Sequence, residues 1–202
     1  LAAQSSSITA DGSISVEKTQ AADTKAAGIS NETQAHALFS VKKMVFTACL
    51  AGLAFVLNTF VFFPHMAPFQ HMCNLIGDVF IGPWYNMLAA IITGLLRMTL
   101  TGCDVQALVG AFIGAWLGGE MYRHTQKLWA AWIGEVIGTG VISAMAAYPL
   151  IRIFYGFPKF NAFYLIPFYT PAAVVGASIG VCVITLLKKG KVLNRLIQQL
   201  NS

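Results

Sequence analysis

Few side chains in this chain could do chemistry, and the most suggestive ones stand in short stretches between apolar runs. Gln70, His71 and Asn74 are spaced so that Asn74 lies three and four residues after the other two, which places all three on one face of a helix. Glu135 and Thr139 form a second i, i+4 pair, Tyr148 follows them, and Arg97 stands between the two groups. A polar or ionisable side chain at bilayer depth is costly unless it is partnered, so such residues call for a functional or a structural reason. An imidazole, amides, a guanidinium and a carboxylate could orient a small polar ring, with Phe63, Phe69 and Tyr148 as apolar walls. The alternative is that these groups satisfy one another, or that Arg97 snorkels to the headgroups. Glu135 stays open between a deep ligand anchor and a structural partner, of Asp78 if one of the two carboxyls keeps a proton. Glu120, three residues before Arg123, reads as a solvated pair at a helix end.

Other signals lose their meaning in context. Gly176-Ala177-Ser178-Ile179-Gly180 has the spacing of a nucleophile elbow, but it lies within an apolar helical run instead of between a strand and a helix. His65, His71 and Cys73 have no recognised zinc spacing, and Cys49, Cys73, Cys103 and Cys182 are scattered with no C-x-x-C pair. No cofactor or metal is expected. No G-x-x-x-x-G-K-[ST] occurs, so any ATP used would have to be hydrolysed by a partner.

The elements that must position these residues follow from composition. The chain of 202 residues is 56% hydrophobic and 10% charged, with mean hydropathy +0.66. A soluble domain carries about 25% charged residues, so too few are present here to build a water-facing surface. Six of the charges (Asp11, Glu17, Lys18, Asp23, Lys25, Glu32) fall within residues 1–40, a polar stretch expected to be a disordered tail. No secretory signal is expected, because the first apolar stretch begins only at Met44. The net charge of +5 forms no single patch with interleaved aromatics, which argues against nucleic acid.

Hydropathy and breakers predict an all-α membrane protein, a bundle of six transmembrane helices over residues 41–189. The predicted helices are Met44–Phe63, Phe69–Ile81, Trp84–Leu100, Ala107–Tyr122, Leu128–Ile151 and Phe163–Leu187. Gly82-Pro83 separates the second from the third, and Pro167 and Pro171 bend or delay the sixth. Gly110, Gly114 and Gly118 form a ladder for close helix packing, and Ala48 with Gly52 makes a small-residue face for an internal helix or a partner subunit. Residues 152–161 read as a loop and residues 190–202 as a short cytoplasmic tail. With the N-terminus inside, Lys42, Lys43, Arg123, Lys127, Lys188, Lys189, Lys191 and Arg195 fall on inner flanks, and Arg97, Arg152 and Lys159 on outer ones. That bias predicts a multi-pass protein of the cell membrane with both termini cytoplasmic.

Several motifs together resemble the ThiW family. They are Pro68-Phe69-Gln70-His71-Met72-Cys73-Asn74, Ile81-Gly82-Pro83-Trp84-Tyr85, Leu95-Leu96-Arg97, and Gly134-Glu135-Val136-Ile137-Gly138-Thr139-Gly140 with Tyr148-Pro149. The likeness covers roughly residues 42–189. It implies a substrate-binding S component of an energy-coupling-factor importer, which captures the thiazole precursor of thiamine from outside and is not an enzyme. Its implied partners are a transmembrane coupling subunit, docked on Ala48 and Gly52, and a pair of ATPases. The implied ligand residues are His71, Asn74, Arg97 and Glu135. The sequence departs from the family pattern from Met98 to Gly110, which leaves room for a different small vitamin-like ligand. An intramembrane enzyme using Ser178 or the His71 and Glu135 pair is the reading from another class.

Overall fold

The structure, a computed structural model, describes residues 41–60, 67–103, 105–156, 161–190 and 192–201. Residues 1–40, expected to form a tail, lie outside the described residues, as do Phe63, His65, Asp104, Lys159 and Lys191. Everything described belongs to one unit that begins at Val41. Among the described residues the secondary structure is entirely helical.

Helix α1 spans Val41–Phe60, α2 Pro68–Phe80, α3 Gly82–Thr101 and α4 Gln106–Thr125. A continuous helical run follows: α5 (Leu128–Ile137), a π-helical turn (Gly138–Ser143) and α6 (Ala144–Tyr155). A 3-10 turn at Ala162–Leu165 leads into α7 (Ile166–Lys189), and α8 is Val192–Asn201.

The boundaries have local causes. Gly82 takes φ +78°, a region where a side chain would strain, and Pro83 then opens α3, where a missing N–H costs nothing. The fifth predicted helix runs past Ile151 to Tyr155, because the chain turns only at Gly156 (φ +66°), whose N–H meets the Arg152 carbonyl at 3.2 Å. Residues 152–155 are therefore helix and not loop. Pro149 sits inside α6 without ending it. As Pro167 suggests, α7 begins late, behind the 3-10 turn. Residues 192–201, expected as part of a tail, form a helix because Leu193, Ile197 and Leu200 pack onto the main core.

Among the described residues three stretches are long and apolar enough to cross a membrane by length and composition: Val41–Phe60, Leu128–Tyr155 and Ala162–Lys189. Of the others, α2 is too short, and α3 and α4 carry interior residues such as Asn86, Thr93, Gly114 and Gly118. α2 is only 13 residues long, yet it packs against α1, α3, α4, α5, α7 and α8, so ten of its residues are buried. The outside is apolar: Leu53, Val56, Trp84, Leu95, Trp116, Ile142, Val175 and Leu186 are exposed. The inside holds Gln70, His71, Asn74, Asp78, Asn86, Thr93, Glu135, Thr139 and Ser143. Lipid rewards this inverted pattern, since apolar side chains lose nothing by facing it and polar ones need protein partners.

The predicted glycine ladder has a visible use. A Cβ on Gly134 would stand 2.8 Å from the Gly118 Cα, and one on Gly138 would stand 2.9 Å from the Gly114 Cα. α4 and α5 thus meet backbone to backbone, which only residues without a side chain permit.

Candidate functional site

Glu135 is the centre of the buried polar cluster. It is fully buried, and its Oε1 is approached by three groups: His71 Nδ1 at 2.8 Å, Asn74 Nδ2 at 3.0 Å and Thr139 Oγ1 at 3.2 Å. With the carboxylate accepting, the hydrogen sits on Nδ1 of the imidazole. The α-helical period brings His71 and Asn74 onto the face of α2 that meets α5, and Thr139 stands one turn beyond Glu135 at the start of the π turn. Donors from α2 and from the α5 run therefore converge on one oxygen, while Glu135 Oε2 is buried and has no hydrogen-bond partner.

The cluster extends towards α1. Gln70 Nε2 donates to Asn74 Oδ1 at 3.1 Å, and Asn58 Nδ2 donates to Gln70 Oε1 at 3.4 Å and to the Ala54 carbonyl at 2.7 Å. Asn74 Nδ2 also reaches the Ala111 carbonyl of α4 at 3.1 Å. Close backbones make the room. A Cβ on Gly176 of α7 would stand 2.8 Å from the His71 Cβ, and one on Gly114 of α4 would overlap Thr139 Oγ1 and lie 2.9 Å from Glu135 Oε2.

A second buried carboxylate lies below. Asp78, two turns after His71 on α2, accepts from Asn86 Nδ2 at 2.6 Å, and its Oδ2 is buried without a partner. The suggested pairing of Glu135 with Asp78 is not made by hydrogen bond: Glu135 is held by His71, Asn74 and Thr139 because these share its level, whereas Asp78 is held by α3. Sequence reasoning missed Asn86. Its signal was available, since it is an amide in an apolar run three residues after Pro83, but the motif ending at Tyr85 drew attention away from it.

Of the predicted site residues, Gln70, His71, Asn74, Glu135 and Thr139 are brought together. Arg97 is not part of their network: partly buried near the end of α3, its Nη2 meets Cys103 Sγ at 3.9 Å. Cys103 Sγ lies in turn 3.2 Å from Thr101 Oγ1. Phe69 and Tyr148 are both partly buried, and Tyr148 makes no hydrogen bond to the cluster. On α1, Ala48 is exposed and a Cβ on Gly52 would meet nothing within 4 Å, so that face is not used for packing inside the described bundle. Glu120 pairs with Arg123 at 3.7 Å as expected, and also with His124 at 3.1 Å.

Ser178 has no catalytic company. Its hydroxyl donates to the Val174 carbonyl at 2.6 Å and accepts from Trp132 Nε1 at 3.1 Å. Among the described residues, His, Cys, Asp and Glu do not gather into a group of three that could hold a metal.

An apolar exterior, long apolar helices and a buried polar centre define a membrane-embedded helical protein. The family comparison states which kind. The chain matches the family model of ThiW, thiamine-precursor transporter protein, over residues 44–190, from α1 to the end of α7, and it belongs to that family. Neither the search of curated proteins nor that of solved structures found a match.

Proposed function

We propose that this chain is the substrate-binding S component of an energy-coupling-factor importer, capturing a thiamine precursor of the hydroxyethylthiazole type from the extracellular side. In this reading it crosses the membrane six times with both termini in the cytoplasm, in line with the bias of basic residues towards one set of helix ends. It catalyses no reaction itself. A coupling subunit and two ATPases supply the energy in this reading, since this sequence has no phosphate loop with which to use ATP itself.

The observation that carries the proposal is the Glu135 centre. Buried oxygens are nearly always paired. Here a fully buried carboxylate gathers an imidazole, an amide and a hydroxyl on one oxygen and leaves Oε2 without a donor. A small polar ring with a hydroxyl arm can donate to such an acceptor while His71 and Asn74 contact its heteroatoms. Phe69, Gln70 and Thr139 complete the site, with Arg97 and Tyr148 towards its mouth. The open face at Ala48 and Gly52 supports docking of the coupling subunit, because small residues allow a partner helix to approach closely.

Calorimetric titration of the purified protein with hydroxyethylthiazole, its phosphate and thiamine tests the reading. Binding of the thiazole alcohol that weakens in His71→Ala is the expected result, and no heat and no thermal shift with any of the three would remove it. The departure from the family pattern between Met98 and Gly110 favours one variant of the proposal, an S component for another vitamin-like ligand. Mass-spectrometric identification of metabolites carried through purification separates the two.

A further inference from the structure

Asn86 belongs to none of the predicted site residues, yet its side chain makes as many interior hydrogen-bond contacts as those of Glu135 and Asn74. It sits on α3 with 1% exposure. Its Nδ2 donates to the backbone carbonyl of Asn74 at 2.7 Å and to Asp78 Oδ1 at 2.6 Å, and it lies 3.4 Å from the Ala115 carbonyl of α4. The amide oxygen points the other way, into the space that a side chain at position 77 would fill: a Cβ on Gly77 would overlap it. Leu50 of α1 closes the same space, its Cδ2 standing 2.9 Å from that Cβ position. Turning the amide over would set its oxygen against three acceptor oxygens, so the hydrogen-bond network assigns the orientation.

We propose that Asn86 is a positioning residue for the ligand centre: seated in the Gly77 socket, its amide fixes the register of α2 so that His71 and Asn74 meet Glu135. The inference rests on reading the Glu135 cluster as the ligand site. Asn74 is the pivot. Its backbone carbonyl is held by Asn86 while its side chain spans from the Ala111 carbonyl to Glu135 Oε1. The two amides contact the carbonyls of Ala111 and Ala115, one turn apart on α4, so α2 is fastened to α4 directly through Asn74 and, one turn on, through the bridging amide of Asn86 on α3. Hydrogen bonds weaken steeply with distance and misalignment, and a small slide of α2 would separate both donors from Glu135.

The test uses the full-length protein in lipid nanodiscs. In Asn86→Ala the affinity for hydroxyethylthiazole is expected to fall about tenfold, the scale of a lost coupling between linked groups. The NMR signal of the His71 Nδ1 hydrogen bonded to Glu135, recorded without ligand, is expected to shift or disappear. Gly77→Ala should produce the same two changes with Asn86 intact, because its methyl takes the place of the amide oxygen. In the Asn86→Ala background Gly77→Ala should add little, as coupled pairs do. An Asn86→Ala protein with unchanged affinity and an unchanged His71 signal overturns the proposal, and so do fully additive losses in the double variant. Should Asn86→Ala fail to fold, Gly77→Ala decides, and retention of the His71 signal there is the refuting result. If the unaltered protein binds no hydroxyethylthiazole, the ligand reading falls, while the ligand-free His71 signal still decides the role of Asn86.

Discussion

Among the described residues two carboxylates are buried, about one helical turn apart along the interior as the α4 glycines beside them show, and they are treated differently. Glu135 is met by three side-chain donors, whereas Asp78 is met by one, the amide of Asn86. Each keeps one oxygen without a partner, and each lies against a glycine of α4: Gly114 beside Glu135, Gly118 beside Asp78. The difference is in what the partners are. Around Glu135 stand groups that can also serve a ligand, an imidazole and a hydroxyl among them. Around Asp78 stand an amide and backbone, which suit the fastening of α2 to α3 and α4. Both carboxyls are buried, so under the proposed function their surroundings, and not burial, separate a binding centre from a fastening.

The largest expected effect breaks the Glu135 side of this comparison. Glu135→Leu leaves His71, Asn74 and Thr139 without their common acceptor, and removing one partner of a buried pair costs about 3–5 kcal/mol. Thermal unfolding in detergent should register this loss, with thiazole binding abolished. A variant as stable as the parent would show that the cluster is not cooperative.

Next come the two glycines. Gly114→Ala pushes a methyl into Thr139 and towards Glu135, and Gly118→Ala places one 2.5 Å from Asp78 Oδ2 and 3.2 Å from the Ala131 carbonyl. Both should lose about 1–3 kcal/mol of stability, the usual cost of overpacking. Only Gly114→Ala should also weaken ligand binding by more than its stability loss explains. Equal binding defects in the two, measured by titration well below the melting temperature, would erase the distinction between the levels.

Asp78→Asn should be mild. The new amide keeps an acceptor for Asn86 and has nearly the same shape as the carboxyl, so stability is expected to change by less than about 1 kcal/mol. The isosteric Glu135→Gln, compared in the same assay, should lose ligand affinity, because its amide replaces one of the two oxygens of the centre with a nitrogen donor. The smallest effect is at the periphery. Gly52→Ala meets open space and replaces a poor helix former, so unfolding should be unchanged or shifted upward by about 0.5–1 kcal/mol. Reconstituted uptake with the coupling subunit should nevertheless fall, and normal uptake would remove this face from the docking surface.

Much of the fold was legible in one dimension. Breaks at Gly82-Pro83 and Gly102, and the ladder Gly110, Gly114 and Gly118, depend on backbone geometry that residue type alone imposes. The reach of α6 past Ile151 to Tyr155 was not legible, because the charge of Arg152 reads as a helix-end flank while the turn that ends the helix comes only at Gly156. The π turn at Gly138–Ser143 was equally hidden; Ser143 Oγ donates to the Gly138 carbonyl at 2.9 Å there, a bond between residues five apart that no periodicity announces. The membership of α8 in the core was missed for a related reason, since a short polar-looking helix is held only by where Leu193, Ile197 and Leu200 land.

The same division runs through the site. That Gln70 and His71 share a helical face with Asn74, and that Glu135 shares one with Thr139, was determined by the sequence alone, because 3.6 residues per turn is a local property of the chain. That the α2 group meets the α5 pair, that Arg97 turns to Cys103 instead, and that Asn86 rather than Glu135 partners Asp78 were decided only when the helices packed. The first of these joins residues more than sixty positions apart, the other two join residues six and eight apart across a helix end, and the glycine contacts that set the depth and angle of each helix exist only in the assembled bundle.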